Sequence, residues 1–253
     1  MELLVVCCAS LLAGLVDAIV GGGGLILVPA LFASYPSAVP ATLLGTNKSA
    51  SVWGTGIAAL QYSRRVRLDH AVLPPAAAMA LAGAWAGAWT VTQVDGGFLR
   101  RLLPFILLGV LVYTLARKNL GQVHAPRHSP RAAVAIGCAI DGTLGWYDGF
   151  FGPGTGSFLI FLLVRLLGYD FLNASAAAKL LNVATNLAAL ALFAAKGHVW
   201  WQVGLAMAAA NVVGSLIGSR LALRHGSGFV RRVSVVVVTM LILKTGYDAF
   251  LRT

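Results

Sequence analysis

Asp17-Ala18-Ile19-Val20-Gly21-Gly22-Gly23-Gly24 stands near the start of the chain, and Asp148-Gly149-Phe150-Phe151-Gly152-Pro153-Gly154-Thr155-Gly156 stands near its middle. A carboxylate followed by a glycine cluster is thus written twice inside apolar sequence. The two copies are 131 residues apart, and outward from the glycines the same offset keeps matching unusual residues. Lys48 falls on Lys179, Gly83 on Gly214, Gly87 on Gly218, Phe98 on Phe229, and Arg100-Arg101 on Arg231-Arg232, with no insertion. Cys7 falls on Cys138, which carries the match almost to Met1. The chain therefore divides into a first repeat, residues 1–122, a polar linker, 123–131, and a second repeat, 132–253.

Composition places these repeats in a bilayer. Of 253 residues, 58% are hydrophobic and 11% charged, too little polar surface to coat a soluble globule. Residues 71–94 and 199–219 hold no Asp, Glu, Lys or Arg, and 39–62 holds only Lys48. Each approaches or exceeds the ~20 residues that cross a hydrocarbon core. Glu2 replaces the basic start of a signal peptide, and the apolar segment after it recurs at 134–147, so it reads as mature structure. The net charge of +11 sits in short loops, as expected for a multi-pass membrane protein, and argues for a lipid partner rather than nucleic acid. Cys7, Cys8 and Cys138 lie in apolar segments without His or Asp at ligand spacing, so neither a disulfide framework nor a metal site is expected.

Each repeat reads as a broken helical hairpin around the glycines, 3–20 with 25–34 and 134–151 with 156–168, followed by three spans. The spans are 39–62, 71–92 and 99–117 in the first repeat, and 170–195, 199–222 and 229–250 in the second. Loop charge decides the orientation of the halves. If the broken hairpins cross the membrane, the halves are parallel and Lys plus Arg divide 9 against 7. If the hairpins are re-entrant, the halves are inverted and the division is 12 against 4, the four being Arg100, Arg101, Lys196 and Arg252. The expected fold is an all-α integral membrane protein of two inverted repeats, each a re-entrant hairpin plus three transmembrane helices. The basic linker is cytoplasmic and both termini lie outside. A long internal repeat of this kind is a signature of secondary transporters.

Asp17 and Lys48 are separated by 31 positions, as are Asp148 and Lys179. A charge at the centre of a span carries an insertion cost of about 2.5–3.5 kcal/mol, so all four should pair or face an internal cavity. Glycine clusters break helices, and broken backbone at membrane depth is tolerated where it lines such a cavity. The half-helix after each break begins with unpaired N–H groups and the positive end of its dipole, which suits an anion. Gly21, Gly22, Gly23 and Gly24 in the first repeat, and Gly152, Gly154 and Thr155 in the second, are therefore candidate ligand contacts.

Lys48 and Lys179 are expected to compensate anion charge, with Thr46, Asn47 and Asn182 orienting the ligand. Asp17 and Asp148 read either as ion-pair partners of the lysines or as protonation sites that couple transport. Ser49, Ser51, Thr185 and Asn186 are further polar neighbours, which suit either ligand contact or helix-to-helix hydrogen bonding. Gly83 with Gly87, and Gly214 with Gly218, read as close helix packing. Trp53, Trp85, Trp146 and Tyr147 are candidates to line the pocket, and Trp200 and Trp201 to anchor a span at the interface.

The stretch Gly14-Leu-Val-Asp17-Ala-Ile-Val-Gly-Gly-Gly-Gly24-Leu, with Gly45-Thr-Asn-Lys48-Ser and the second-half Asp148 to Ser157 and Ala178-Lys179, resembles the sulfite exporter TauE/SafE family, also called the 4-toluene sulfonate uptake permease family. The resemblance covers essentially the whole chain. It implies a bacterial inner-membrane carrier for sulfite, an organosulfonate or a related small anion, although fold alone does not fix substrate. Thr46-Asn47 aligns with Ala177-Ala178, so a shared site would be asymmetric.

The resulting expectation is a secondary transporter that moves a small anion by alternating access, not an enzyme, with no cofactor. Homodimerisation is left open. The sequence lacks the phosphate-binding Gly-x-x-x-x-Gly-Lys-[Ser/Thr] motif of a built-in ATPase. A gated anion channel is the alternative that the same electropositive cavity would serve, followed by a proton- or cation-coupled carrier of another substrate. A membrane enzyme or accessory subunit has no nucleophile or metal constellation to support it. Replacing Lys48 by Ala is expected to abolish uptake while leaving the folded yield largely intact.

Overall fold

A computed structural model describes residues 1–66, 68–102, 105, 109 and 128–250, with side chains beyond Gly226 described at Phe229 and Arg232. The described residues are helical and contain no strand. The helices are α1 (Glu2–Val20), α2 (Gly24–Ser34), α3 (Pro40–Ser63), α4 (Leu73–Val91), α5 (Pro130–Phe150), α6 (Thr155–Leu162) with a π turn at Leu163–Leu167, α7 (Phe171–Ala195) and α8 (Trp201–Phe250). α1, α7 and the Trp201–Gly226 part of α8 are each long and apolar enough to cross a membrane. Most of the expected span at 99–117 and of the linker lies outside the described residues.

Local chemistry sets the helix ends. Gly21 takes the left-handed conformation at φ 79° and closes α1 by donating its N–H to Asp17 O. Gly154, at φ 82°, opens α6. Pro40 and Pro130 stand in the first turns of α3 and α5, where no amide donor is needed. Asp170 caps α7 by accepting from Leu172 N at 2.7 Å and Asn173 N at 2.9 Å. The sequence places a gap between spans 199–222 and 229–250, whereas the helix runs on to Gly226 and breaks there at φ 70°, ψ −168°. Only glycine holds that conformation without strain.

Packing recurs at the 131-residue offset. α4 lies along α5 and α1 along α8, and the small residues meet in the same register. A Cβ on Gly83 or Gly87 would strike the carbonyl oxygens of Gly142 or Trp146, and one on Gly214 or Gly218 those of Leu11 or Leu15. Gly14 is pressed on Asn211 O and Gly145 on Ala80 O in the same way. Such contacts let van der Waals packing hold helices where no hydrophobic drive separates protein from lipid.

Gly87→Ala should therefore lower the melting temperature measurably, since overpacking costs about 1–3 kcal/mol. Gly56→Ala, with nothing within 4 Å of its added methyl, should leave it unchanged or raise it.

One end of the bundle joins Tyr35 to Trp200, with ring centroids 5.3 Å apart, Arg100 to Ala38 O, and Lys196 Nζ to Thr92 Oγ1 at 2.7 Å. The other end joins Tyr169 to Asp69 at 3.2 Å and His128 to Leu166 O at 2.8 Å. The α1–α2 hairpin opens toward the first of these ends and the α5–α6 hairpin toward the second. Their glycine tips meet: Ser157 N donates to Gly21 O at 3.0 Å, and a Cβ on Gly24 would lie 3.1 Å from Pro153 Cα.

Candidate functional site

Where the two tips meet, α3, α7 and α8 close around a small polar cavity. Asp17, Gly21, Gly23, Gly24, Asn47, Lys48, Asp148, Gly152, Thr155 and Asn182 line it, so ten of the fourteen residues singled out in the sequence come together. Sequence reasoning did not select Ala13, Thr55, Gly156 or Asn211, and it held Ser51 and Asn186 apart from the core site, yet these complete the lining. Asn211 was findable: it is the one Asn in an uncharged span.

Lys48 projects from α3, 3% exposed. Its Nζ lies 2.6 Å from Asp148 Oδ2 and 3.0 Å from Asn186 Oδ1, with Gly152 beside it. The pair links the two halves of the chain, and so does its counterpart. Lys179 Nζ lies 3.2 Å from Asp17 Oδ2 and also donates to Asp17 O. Asp17 Oδ1 in turn accepts from Gly23 N at 3.4 Å, so the same carboxylate steadies the turn that ends α1. Two charged pairs inside an apolar bundle are tolerable because each charge keeps a hydrogen-bonded partner.

The two lysines differ in access. Lys179 is 0% exposed and lies off the cavity lining, bound behind the α1 turn, so its charge serves the hairpin tip. Thr46 also lies away from the cavity: its Oγ1 donates to Thr42 O at 2.7 Å and accepts from Trp200 N at 3.0 Å. Ser49 donates to Thr46 O at 2.8 Å, again helix structure rather than lining. Gly22 and Gly154 belong to the turns without facing the cavity. The sequence could not separate these from the lining residues, because all carry similar polar or glycine signals.

The tryptophans overturn an expectation. Trp53, Trp85 and Trp146 are 57%, 49% and 42% exposed on the outside of the bundle and do not line the pocket. Trp85 and Trp146 face outward because the inner faces of α4 and α5 are taken by glycine-to-backbone contacts that no indole fits. Tyr147 spans its own turn, donating to Pro153 O at 2.7 Å.

The chemistry available is one ammonium and two carboxylates, Asp17 and Asp148, set among amides. Lys48 is the one cation lining the cavity among the described residues, and Asp148 balances it. The Oδ1 atoms of Asn47 and Asn182 are buried without a hydrogen-bond partner among the described residues. An amide can turn over to offer either its NH2 or its oxygen, so each is an unsatisfied group that a bound ligand would complete. No group of three or more His, Cys, Asp or Glu suited to a metal occurs among the described residues.

A family model described as sulfite exporter TauE/SafE matches residues 6–245. The chain is 38% identical to a protein named probable membrane transporter protein ORF9 from Sinorhizobium sp, over 93% of this chain and 89% of that one. It is 37% identical to the probable membrane transporter protein YfcA of Escherichia coli K12, over 95% and 88%. A probable membrane transporter protein of Haemophilus influenzae is 34% identical over 95% and 93%. No solved structure matches the chain.

Proposed function

Because the chain belongs to the sulfite exporter TauE/SafE family and is a membrane transporter, we propose that it carries a small anion, a sulfite or organosulfonate, across the bacterial inner membrane by alternating access. The observation that carries this reading is Lys48, held between Asp148 and Asn186 on the wall of a cavity where two half-helices begin. Helix N-termini, amide side chains and an ammonium suit an oxyanion, since each supplies donors or positive potential.

Asp148 balances Lys48 as Lys179 balances Asp17, and an arriving anion competes with Asp148 for Lys48. Binding then changes the contact between α3 and the α5 tip, which is where a conformational response would start. The lining asparagines set the ligand's orientation, with Asn47 and Asn182 as the unpartnered pair.

The topology follows the same reading: two inverted repeats, with the linker cytoplasmic and the termini outside. The 12-to-4 loop charge division supports it, as does the opening of the two hairpins toward opposite ends of the bundle. Thiol labelling of single cysteines placed at 120–127 should occur from the cytoplasmic side only; labelling from outside would sink this orientation.

The test of function is ligand-dependent thermal stabilisation across sulfite, sulfate, sulfoacetate, isethionate, taurine, aromatic sulfonates and simple carboxylates. A ligand at 100 times its dissociation constant adds about 2.7 kcal/mol, a readily measured shift. We expect a shift confined to one class of sulfur oxyanion and absent in the doubly neutral Lys48→Met/Asp148→Asn variant. No shift with any anion in a well-folded sample would retire the anion reading.

A further inference from the structure

Asp141 is an intramembrane carboxyl that the doubled motif does not include. It lies on α5, is 1% exposed, and its Oδ2 is buried without a hydrogen-bond partner among the described residues. Its place follows from its neighbours one turn away on the same helix face, Gly137 and Gly145. A Cβ on Gly137 would meet Val72 at 2.8 Å and Ala76 at 3.7 Å, and one on Gly145 would meet Ala80 O at 2.7 Å. Asp141 therefore sits in the seam between α4 and α5, among valine and alanine.

The 131-residue offset shows what this position does in the other seam. Its counterpart is Ser10, between α1 and α8, where a polar knot is complete: Ser10 Oγ donates to Met207 O at 2.8 Å, and Asn211 Nδ2 donates to Ser10 O at 3.0 Å. Met207 and Asn211 correspond to Ala76 and Ala80. The second seam thus has a carboxyl where the first has a hydroxyl, and two alanines where the first has its partners.

Among the described residues, no charge from a neighbouring element offsets an ionised Asp141. α4 contains no Asp, Glu, Lys, Arg or His, and neither does α6. The Arg165 of the π turn is exposed, and Lys179 of α7 is held by Asp17. On α5 itself, Arg131 stands near the helix start and is exposed, Cys138 is a free thiol, Tyr147 bonds Pro153 O, and Asp148 holds Lys48. A neutral carboxyl tolerates this apolar seam, whereas a carboxylate needs water or a cation.

We propose that Asp141 is a proton-binding site whose protonated form seals the α4–α5 seam and whose ionised form opens that seam to water. The opposite seam, with its hydrogen bonds complete, does not respond to protons, so proton occupancy acts on one half of the molecule. Asp141 stands seven residues, about two turns, before Asp148 on the same helix, so opening the seam bears directly on the helix that ends at the Lys48 pair. The inference stands apart from the choice of substrate.

Two measurements on the full chain in liposomes decide it. Infrared difference spectra, taken as pH is stepped from alkaline to acidic, should contain a protonated-carboxyl band that is absent from Asp141→Asn and from Asp141→Ser. The serine variant copies the residue of the opposite seam and guards against a folding defect. A cysteine at Ala80, with Cys7, Cys8 and Cys138 replaced by alanine, should react with a soluble thiol reagent at least tenfold faster at alkaline than at acidic pH after division by the rate of a cysteine at exposed Ser63, which cancels the ionisation of the thiol itself. Adding Asp141→Asn should abolish that difference. A carboxyl band identical in wild type and both variants, or Ala80→Cys labelling whose pH dependence matches that of the exposed cysteine at position 63, would overturn the proposal.

Discussion

Replacing Lys48 by alanine is expected to abolish anion-induced stabilisation and also to destabilise the protein by about 3–5 kcal/mol, the usual cost of stripping one partner from a buried ion pair. The second effect revises the sequence reading, in which folded yield survives the substitution. Asp148 explains the revision: it is 5% exposed, its Oδ2 has Lys48 at 2.6 Å, and without that ammonium it is left as a lone buried carboxylate. Asn186 Oδ1 loses its donor at the same time.

The Lys48→Met/Asp148→Asn variant separates the two roles. With neither charge present the desolvation cost falls away, so the melting temperature should return most of the way to wild type while anion binding stays lost. A double variant that still shows the anion-induced shift would place the ligand elsewhere in the molecule.

Gly21→Ala is expected to be nearly as damaging, for a reason that involves no charge. Gly21 holds φ 79°, a region that costs a non-glycine residue about 1–3 kcal/mol. The added methyl would also lie 2.7 Å from Gly156 Cα and Ser157 N, driving the two hairpin tips apart and breaking the Ser157 N to Gly21 O bond. Gly22→Ala is the internal control. Its methyl would meet Ser157 Oγ at 3.6 Å and Leu25 at 3.7 Å, ordinary contact distances, and Gly22 has no positive φ. Folded yield and thermal stability of the pair should diverge sharply; equal behaviour would show that the tips do not depend on close backbone approach.

Adjacent glycines with opposite expected outcomes mark a limit of the sequence. Four consecutive glycines announce a broken helix but do not tell which of them touches the other repeat. That depends on where residues 152–157 arrive in space, a contact between positions more than a hundred residues apart.

The same division runs through the whole protein. By itself the sequence determined the doubling, the helix breaks and the presence of charged residues inside apolar spans, because each is a local signal: glycine releases backbone, and a charge in hydrocarbon is conspicuous whatever surrounds it. Tertiary structure alone decided that each lysine pairs with the aspartate of the opposite half, that Lys48 lines the cavity while Lys179 is sealed behind the α1 turn, that Trp53, Trp85 and Trp146 point outward, and that Asp141 lies in a seam with no partner among the described residues. The physical reason is rotation. A helix apolar on every side carries no amphipathic stripe to fix which face turns inward, so its orientation is set by the neighbours against which it packs.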